Sequence, residues 1–217
     1  MKYINGINFL KDEFPIRERT QFVPAVRRAY SLIKEISQQN DFLNWKVGRD
    51  LLPYLRNAAV EFEFKRLIDK GALNYKYRIS MNQRRNCNHL EIISPNCVLT
   101  ISHVPRKIAV PRKALFRSNL SFINQMSIFS ILGLQDDDIC EDKYYAIMTH
   151  GGSTRSLSVP EFVNLGLPCT DVKEWAEILD LTSEPYVIEI PEEAINADDL
   201  LEFKVHIENN ELNKGVL

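Results

Sequence analysis

The sequence predicts an α+β fold in which an N-terminal helical layer packs on a mainly antiparallel sheet of about six or seven strands. Apolar residues recur at helical spacing as far as residue 70, they alternate with polar residues from Tyr75 onward, and short polar links join the alternating segments. The 217 residues fit a single domain, 1–217. A helical subdomain at 1–71 with a mixed α/β remainder at 72–217 is a second reading of the same pattern.

Three helices are expected before residue 72. The first covers roughly residues 24–39, with Pro24 near its first turn, because apolar side chains recur there at helical spacing. Asp41 is expected to cap a short second helix that runs through Trp45. The third begins after Asp50 and ends at Gly71, a residue that is free to adopt a positive φ.

A basic hairpin and a further strand follow these helices. Strands are predicted at 75–79 and 89–94, with a polar loop at 81–88 between them. The turn after residue 94 leads into a strand at 97–104. Because the links are short, we expect all three strands to pair antiparallel.

The second half is expected to mix loops, helices and strands. The prolines at 105 and 111 favour a loop or a sheet edge, and residues 118–134 are typical of an apolar helix around Phe122. A capping-box pattern from Asp171 to Glu174 predicts a helix that carries Trp175, and both helices are expected to cover the sheet. The remaining strands are predicted at 143–150, 157–165, 186–190 and 203–207.

The cysteine pattern and the N-terminus favour a cytoplasmic protein. The four cysteines form no C-x-x-C pair, and residues 1–14 lack the continuous apolar stretch of a signal peptide. No apolar run reaches the roughly 18–20 residues that span a bilayer. We therefore expect reduced and mostly buried thiols, no metal or other cofactor, and no membrane partner.

Charge is distributed unevenly, although the net charge is only −2. Residues 71–135 carry nine Lys or Arg and one acid, Glu91, whereas residues 171–217 carry 13 acids and three lysines. Clustered cations favour polyanions, because each neutralised phosphate releases counterions and Arg can bind phosphate or guanine with two hydrogen bonds. The residues predicted to bind nucleic acid are Lys76, Arg78, Arg84, Arg85, Arg106, Lys107, Arg112, Lys113 and Arg117.

The first functional hypothesis is a non-enzymatic binding or regulatory protein with a basic central surface for nucleic acid or another polyanion. A helix followed by a basic hairpin also has the outline of a winged helix, but this helix lacks the polar face of a recognition helix. An alternative is that the cations form a solvated face paired with the acidic C-terminal segment. A further alternative is a protein-interaction or inhibitor module that docks its acidic end, from Asp171 onward, on a basic partner.

An enzyme is less favoured. Glu63 on a helix, followed by strands that carry Glu91 and His103, has the order of a restriction-nuclease-like core in which acids hold a metal ion. No Asp/Glu-x-Lys lies on a predicted strand, and Glu61 and Glu63 are expected to face solvent. A degenerate metal-dependent nuclease-like enzyme is therefore the third hypothesis, with no catalytic or metal residue assigned.

Other catalytic motifs are missing from the sequence. It has no nucleophile elbow, no glycine-rich phosphate loop and no dinucleotide fingerprint. The histidines lack the spacing of zinc ligands, so we expect each to be a surface or hydrogen-bonded side chain: His89, His103, His150 and His206.

Overall fold

The computed structural model describes residues 6–82, 85, 87–121, 124, 143–152 and 159–186. Within these ranges the predicted α+β fold is confirmed, with helices that precede a six-stranded and mostly antiparallel sheet. The predicted strand at 203–207, all but Tyr186 of the predicted strand at 186–190, and most of the predicted helix at 118–134 lie outside the described residues. The described start of that helix is at residues 115–121.

The helices before the sheet are α1 (Gly6–Glu13), α2 (Ile16–Gln39), α3 (Asp41–Asn44) and α4 (Leu52–Asp69), and a 3₁₀ turn, Gly48–Leu51, leads into α4. The predicted stop at Gly71 is confirmed, since this residue has a φ of 71° and its amide bonds to the carbonyl of Ile68 over 2.9 Å.

Helix α2 is longer than predicted. It begins at Ile16, so Pro24 lies inside the helix and not near its first turn. The added N-terminal turns are held by Arg19, which is buried and bonds to the carbonyl of Phe14 and to the carboxylate of Glu184. This long-range ion pair leaves no trace in local hydrophobic spacing, which explains the late predicted start.

The sheet has the order β1-β2-β3-β4-β5-β6. Its strands are β1 (Lys76–Met81), β2 (Asn88–Ile93), β3 (Cys97–His103), β4 (Tyr144–Gly151), β5 (Phe162–Pro168) and β6 (Trp175–Asp180). All neighbours pair antiparallel except β3 and β4, which run parallel from Cys97 opposite Tyr144 to His103 opposite His150. The predicted antiparallel meander of the first three strands is therefore confirmed.

The two faces of the sheet are covered by different parts of the chain. Helices α1, α2 and α4 pack on one side, which we call the helical face, over side chains such as Leu99, Met148 and Leu165. The opposite face is covered by residues 104–121 of the connection between β3 and β4, whose Val110 packs with Tyr145. Side chains alternate along each strand, so neighbouring residues belong to different faces.

The helix predicted from Asp171 is wrong, because the chain forms a turn there and then enters β6. The carboxylate of Asp171 accepts a bond from the amide of Lys173 over 3.0 Å, and Val172 adopts a φ of 52°, which no helix allows. Trp175 then packs directly over Gly166 of β5. The residues of a capping box are therefore present, but Asp171 uses its carboxylate in a turn. The residues that follow pair with β5 and form a strand in place of the predicted helix.

Candidate functional site

Eight of the nine predicted nucleic-acid-binding cations lie within the described residues, and Arg84 lies outside them. Lys76 and Arg78 project from the same side of the edge strand β1, toward the opposite face of the sheet. Arg85 is exposed at the tip of the β1–β2 hairpin, where it has a φ of 52°. The other five follow β3 along the chain.

A series of side-chain contacts on the opposite face connects Arg78 with Arg117. Arg78 Nε donates to Glu91 over 2.6 Å, and His89 Nε2 lies 3.1 Å from the other oxygen of the same carboxylate. The His89 ring stacks on Phe116 at 4.0 Å, and the Arg117 guanidinium lies 4.8 Å from the centre of the Phe116 ring. A cation of β1 and a cation of the β3–β4 connection therefore share one neighbourhood.

Glu91 is the acid at the centre of this group. Burial alone would raise the pKa of Glu91, but hydrogen bonds from His89 and Arg78 lower it to about 2. The carboxylate is therefore ionised and offsets the charge of Arg78, whose side chain still keeps 59% of its surface exposed.

The five predicted cations that follow β3 differ in their positions and contacts. Arg112 and Lys113 are exposed, and Arg117 donates to the carbonyl of Arg112 over 2.9 Å and to Ser102 Oγ over 3.3 Å. Lys107 lies apart from these three cations at the β6 edge of the sheet, where it donates to Asp180 over 2.6 Å. Arg106 is exposed in the loop just after β3. We use the name basic face for Lys76, Arg78, Arg112, Lys113 and Arg117.

Two acids of the C-terminal region serve contacts inside the fold. Asp180 holds Lys107, and Glu184 receives two hydrogen bonds from Arg19, at 2.6 and 3.0 Å. Of the acidic end predicted to dock on a partner, residues 187–217 lie outside the described residues.

The acids considered for a nuclease lie on different sides of the sheet. Glu63 is buried in the helical layer, where Arg28 and Arg66 each approach its Oε2 at 3.1 Å, so its expected exposure to solvent is wrong. Glu91 lies on the opposite face with Arg78 and His89. The structure therefore does not bring the two acids together. Within the described residues, no group of three or more His, Cys, Asp and Glu side chains is arranged to hold a metal ion.

Glu61 also differs from the sequence expectation, because α4 inserts it into a gap between β2 and β3. These strands pair only as far as Glu91 opposite Thr100, and beyond that point Leu90 donates its amide to Glu61 Oε2 over 3.3 Å. Asn57 donates to the other oxygen of Glu61 over 2.9 Å. Burial raises the pKa of Glu61 to about 7, although these two donors and the charge of Arg117 oppose the shift.

A second group of ionisable side chains meets on the helical face, at the carboxyl ends of the parallel strands β3 and β4. His103 and His150 are paired in register, and their rings lie 5.5 Å apart. Tyr30 of α2 places its hydroxyl 3.1 Å from His150 Nδ1. Arg56 of α4 lies 5.0 Å from the Tyr30 ring centre. We call these four residues the histidine–arginine cluster.

Burial sets the charge state of the histidine–arginine cluster. Arg56 is 2% exposed, Tyr30 and His150 are 0% exposed, and His103 is partly exposed. Burial and then the positive charge of Arg56 lower the pKa of His103 to about 4, and burial, His103 and Arg56 lower the pKa of His150 well below its usual range. Both rings are therefore neutral near pH 7, and Arg56 is the cation of the cluster.

The sequence did not indicate this cluster, because its members come from α2, α4, β3 and β4 with no common spacing. The prediction that each histidine is a surface or hydrogen-bonded side chain fits His150. That prediction says nothing about whether a histidine lies beside a buried arginine. A weak signal was available, since His150 is the last residue of one predicted strand and His103 the next-to-last residue of another, and binding residues gather at the carboxyl ends of parallel strands.

Comparison with protein-family models, with curated proteins and with solved structures finds no match for this chain. Among the described residues, no helix combines the length and the apolar character that a membrane crossing requires.

Proposed function

We propose that the protein binds a polyanion, with nucleic acid as the best candidate, through the basic face and without catalysing a reaction. The observation that carries the proposal is the contact series Arg78, Glu91, His89, Phe116 and Arg117, which joins cations from two distant segments. Phosphate groups are spaced regularly along a nucleic acid, so neighbouring cations of this kind match their spacing better than isolated ones do.

The distribution of charge across the sheet supports the same proposal. Lys76 and Arg78 lie on β1 at one edge, whereas Asp180 and the turn acids Asp171 and Glu174 lie at or before β6 on the other edge. Lys107 is the predicted cation that lies near these acids, and it is paired there. A polyanion would therefore be attracted to the β1 side and repelled from the β6 side.

Exposed lysine and arginine on an edge strand also have a simpler use, because they prevent edge-to-edge aggregation. Nucleic-acid binding and protection of the sheet edge against aggregation differ in their dependence on salt. A contact with phosphate releases counterions and weakens steeply as salt rises, whereas protection of an edge needs no nucleic acid at all.

The test is fluorescence anisotropy with labelled double-stranded DNA, single-stranded DNA and single-stranded RNA over a series of salt concentrations. The double variant Arg112→Glu with Lys113→Glu should weaken binding at least about tenfold and reduce the slope of log K against log salt by about two. Lys173→Glu is the matched control, since this exposed lysine lies on the acidic side beside Asp171. Binding that is absent for every nucleic acid, or that is unchanged in the double variant, rejects the proposal.

The hairpin tip is tested separately with Arg85→Glu. A loss of affinity comparable to that of the double variant would extend the contact to the tip, where Arg85 is exposed. Unchanged affinity would restrict the contact to the basic face.

A further inference from the structure

We propose that Arg56, His103 and His150 form a binding site for a small oxyanion of the phosphate type at the carboxyl ends of β3 and β4. The site lies on the helical face, whereas Arg78 and Arg117 of the basic face lie on the other side of the sheet. It is therefore independent of the proposed nucleic-acid contact, and either can fail without the other.

The first step is the unusual state of Arg56. It is 2% exposed, and its Nε and Nη2 have no hydrogen-bond partner among the described residues. The Tyr30 ring covers the guanidinium at 5.0 Å but offers no acceptor to these N–H groups. A buried charge is normally paired, and Arg19, the other arginine that is buried among the described residues, is paired with Glu184. Arg56 therefore needs an acceptor that carries negative charge.

The second step is that neighbouring ring nitrogens lack partners as well. His103 Nε2 and His150 Nε2 are both buried without a hydrogen bond among the described residues. When the Tyr30 hydroxyl donates to His150 Nδ1, the ring proton of His150 lies on Nε2, which makes this atom a donor. Donors from Arg56 and His150 thus belong to one cluster, as an oxyanion with several acceptor oxygens requires.

The third step concerns the position in the fold. The amide of Val104 bonds to the carbonyl of His150 over 3.0 Å, so the chain stays tied to β4 just after β3 ends and keeps the two histidines side by side. A Cβ on Gly151 would lie 2.2 Å from the carbonyl oxygen of Val104, which shows how close this approach is. His103 is partly exposed and marks the side from which a ligand enters.

An anion beside these groups should bind together with a proton. Arg56 of α4 and His150 of β4 face His103, and Tyr30 of α2 lies beyond His150. The nearby acid is Glu161, before β5, whose charge contributes to the raised pKa of Tyr30. Arg56 and burial disfavour the charged imidazole, and an anion offsets both effects. Binding should therefore raise the pKa of His103, and sulfate, which does not titrate in this range, should bind more tightly at pH 5.5 than at pH 8.

The experiment is a titration of the full chain with inorganic phosphate. Binding is measured by calorimetry and by the shifts of the histidine ring signals in ¹H–¹³C NMR spectra. A parallel titration with glycerol phosphate distinguishes free phosphate from a phosphomonoester, and saturable binding of either supports the site. The signals of His103 and His150 should shift, while that of His89, on the opposite face, should not. These readouts need only the wild-type protein.

Variants then locate the anion. Arg56→Gln and His103→Gln should each reduce phosphate affinity at least tenfold, and Arg49→Gln, the same exchange at an exposed arginine, should leave it unchanged. If the folded wild-type protein does not bind phosphate, the proposal is overturned. That outcome would mean that water or a carboxylate of the chain accepts the hydrogen bonds of Arg56. Binding that is retained in Arg56→Gln, or that shifts other histidines only, also overturns it and places the anion elsewhere.

Discussion

The main-chain amide of His103 donates a hydrogen bond to Oδ1 of Asn57 over 2.8 Å, at a point where β3 no longer pairs with β2. Asn57 thus takes the place of a neighbouring strand for the last residue of β3. Its amide group bonds in turn to Glu61, which accepts from Leu90 of β2. Two side chains of α4 therefore close the gap between the strands and fix the position of His103, a member of the histidine–arginine cluster.

Replacement of Asn57 tests this link. Asn57→Ala leaves the amide of His103 without its acceptor, so we expect a loss of about 1–3 kcal/mol in the free energy of unfolding, measured by urea denaturation. Asn119→Ala is the control, because Asn119 is exposed on the helical residues 115–121 and should tolerate Ala with little change. Equal effects in the two variants would contradict the role of Asn57.

Glu61 predicts a dependence of stability on pH. Its pKa is about 7 in the folded protein and near 4.5 when unperturbed, so between these values the folded chain keeps a proton that the unfolded chain has lost. Stability from this residue should therefore fall as the pH rises from 5 to 8, by about 1–3 kcal/mol. Glu61→Gln removes this titration, so the free energy of unfolding at pH 8 relative to that at pH 5 should be higher in the variant than in the wild type.

The measurement for Glu61 is the free energy of unfolding of each variant at pH 5 and at pH 8. Glu174→Gln is the matched control, since Glu174 is exposed and should keep the wild-type difference. A Glu61→Gln variant with the same pH dependence as the wild type would show that the carboxyl group titrates normally.

Local signals explain which elements the sequence predicts well. The stop at Gly71 depends on one residue with a positive φ, and the β1–β2 hairpin depends on alternation beside a polar loop, so both are readable within a few residues. The charge of residues 71–135 also predicts cations near one another on the basic face. The alternative in which the cations pair with the acidic C-terminal segment agrees with the contact between Lys107 and Asp180, but charge alone does not predict which cation is paired, because that contact depends on where β6 lies in the sheet.

Long-range contacts explain the errors. The first turns of α2 depend on Arg19 and Glu184, and β6 forms where Asp171 uses its carboxylate for a turn and not for a helix cap. The histidine–arginine cluster is the extreme case. Tyr30 and His150 meet only because α2 packs across the carboxyl end of β4, and no spacing along the chain encodes that contact.

The contact between Gly166 and Trp175 gives a packing prediction. A Cβ at Gly166 would lie 2.6 Å from two atoms of the Trp175 ring and 3.2 Å from the carbonyl oxygen of Glu177. Gly166→Ala should therefore lower the free energy of unfolding by about 1–3 kcal/mol and alter Trp175 fluorescence, measured in a Trp45→Phe background.

A double-mutant cycle with Trp175→Ala separates the ring from the backbone as the source of that strain. When the ring is removed, the added methyl group has space, and most of the cost of Gly166→Ala should disappear. An unchanged cost in the Trp175→Ala background would assign the strain to the carbonyl of Glu177.

The ion pair between Arg19 and Glu184 should anchor the segment that follows β6 to α2. The two side chains are 6% and 17% exposed, and Arg19 also holds the carbonyl of Phe14. Glu184→Gln removes the charge that offsets the buried guanidinium, so the free energy of unfolding should fall by about 1–3 kcal/mol. Hydrogen exchange should rise first at residues 181–186, since the 3₁₀ turn Leu181–Ser183 precedes the pair.

Asp69→Asn is the comparison that gives the Glu184 result its meaning. It removes an acid from the more exposed pair with Lys65 on α4, whose contribution should be below about 0.5 kcal/mol. If the burial of an ion pair determines its contribution to stability, Glu184→Gln should lower the free energy of unfolding more than Asp69→Asn does. Similar losses would mean that Arg19 is held chiefly by the carbonyls of Phe14 and Lys11, and that residues 181–186 dock by apolar contacts such as that of Leu181.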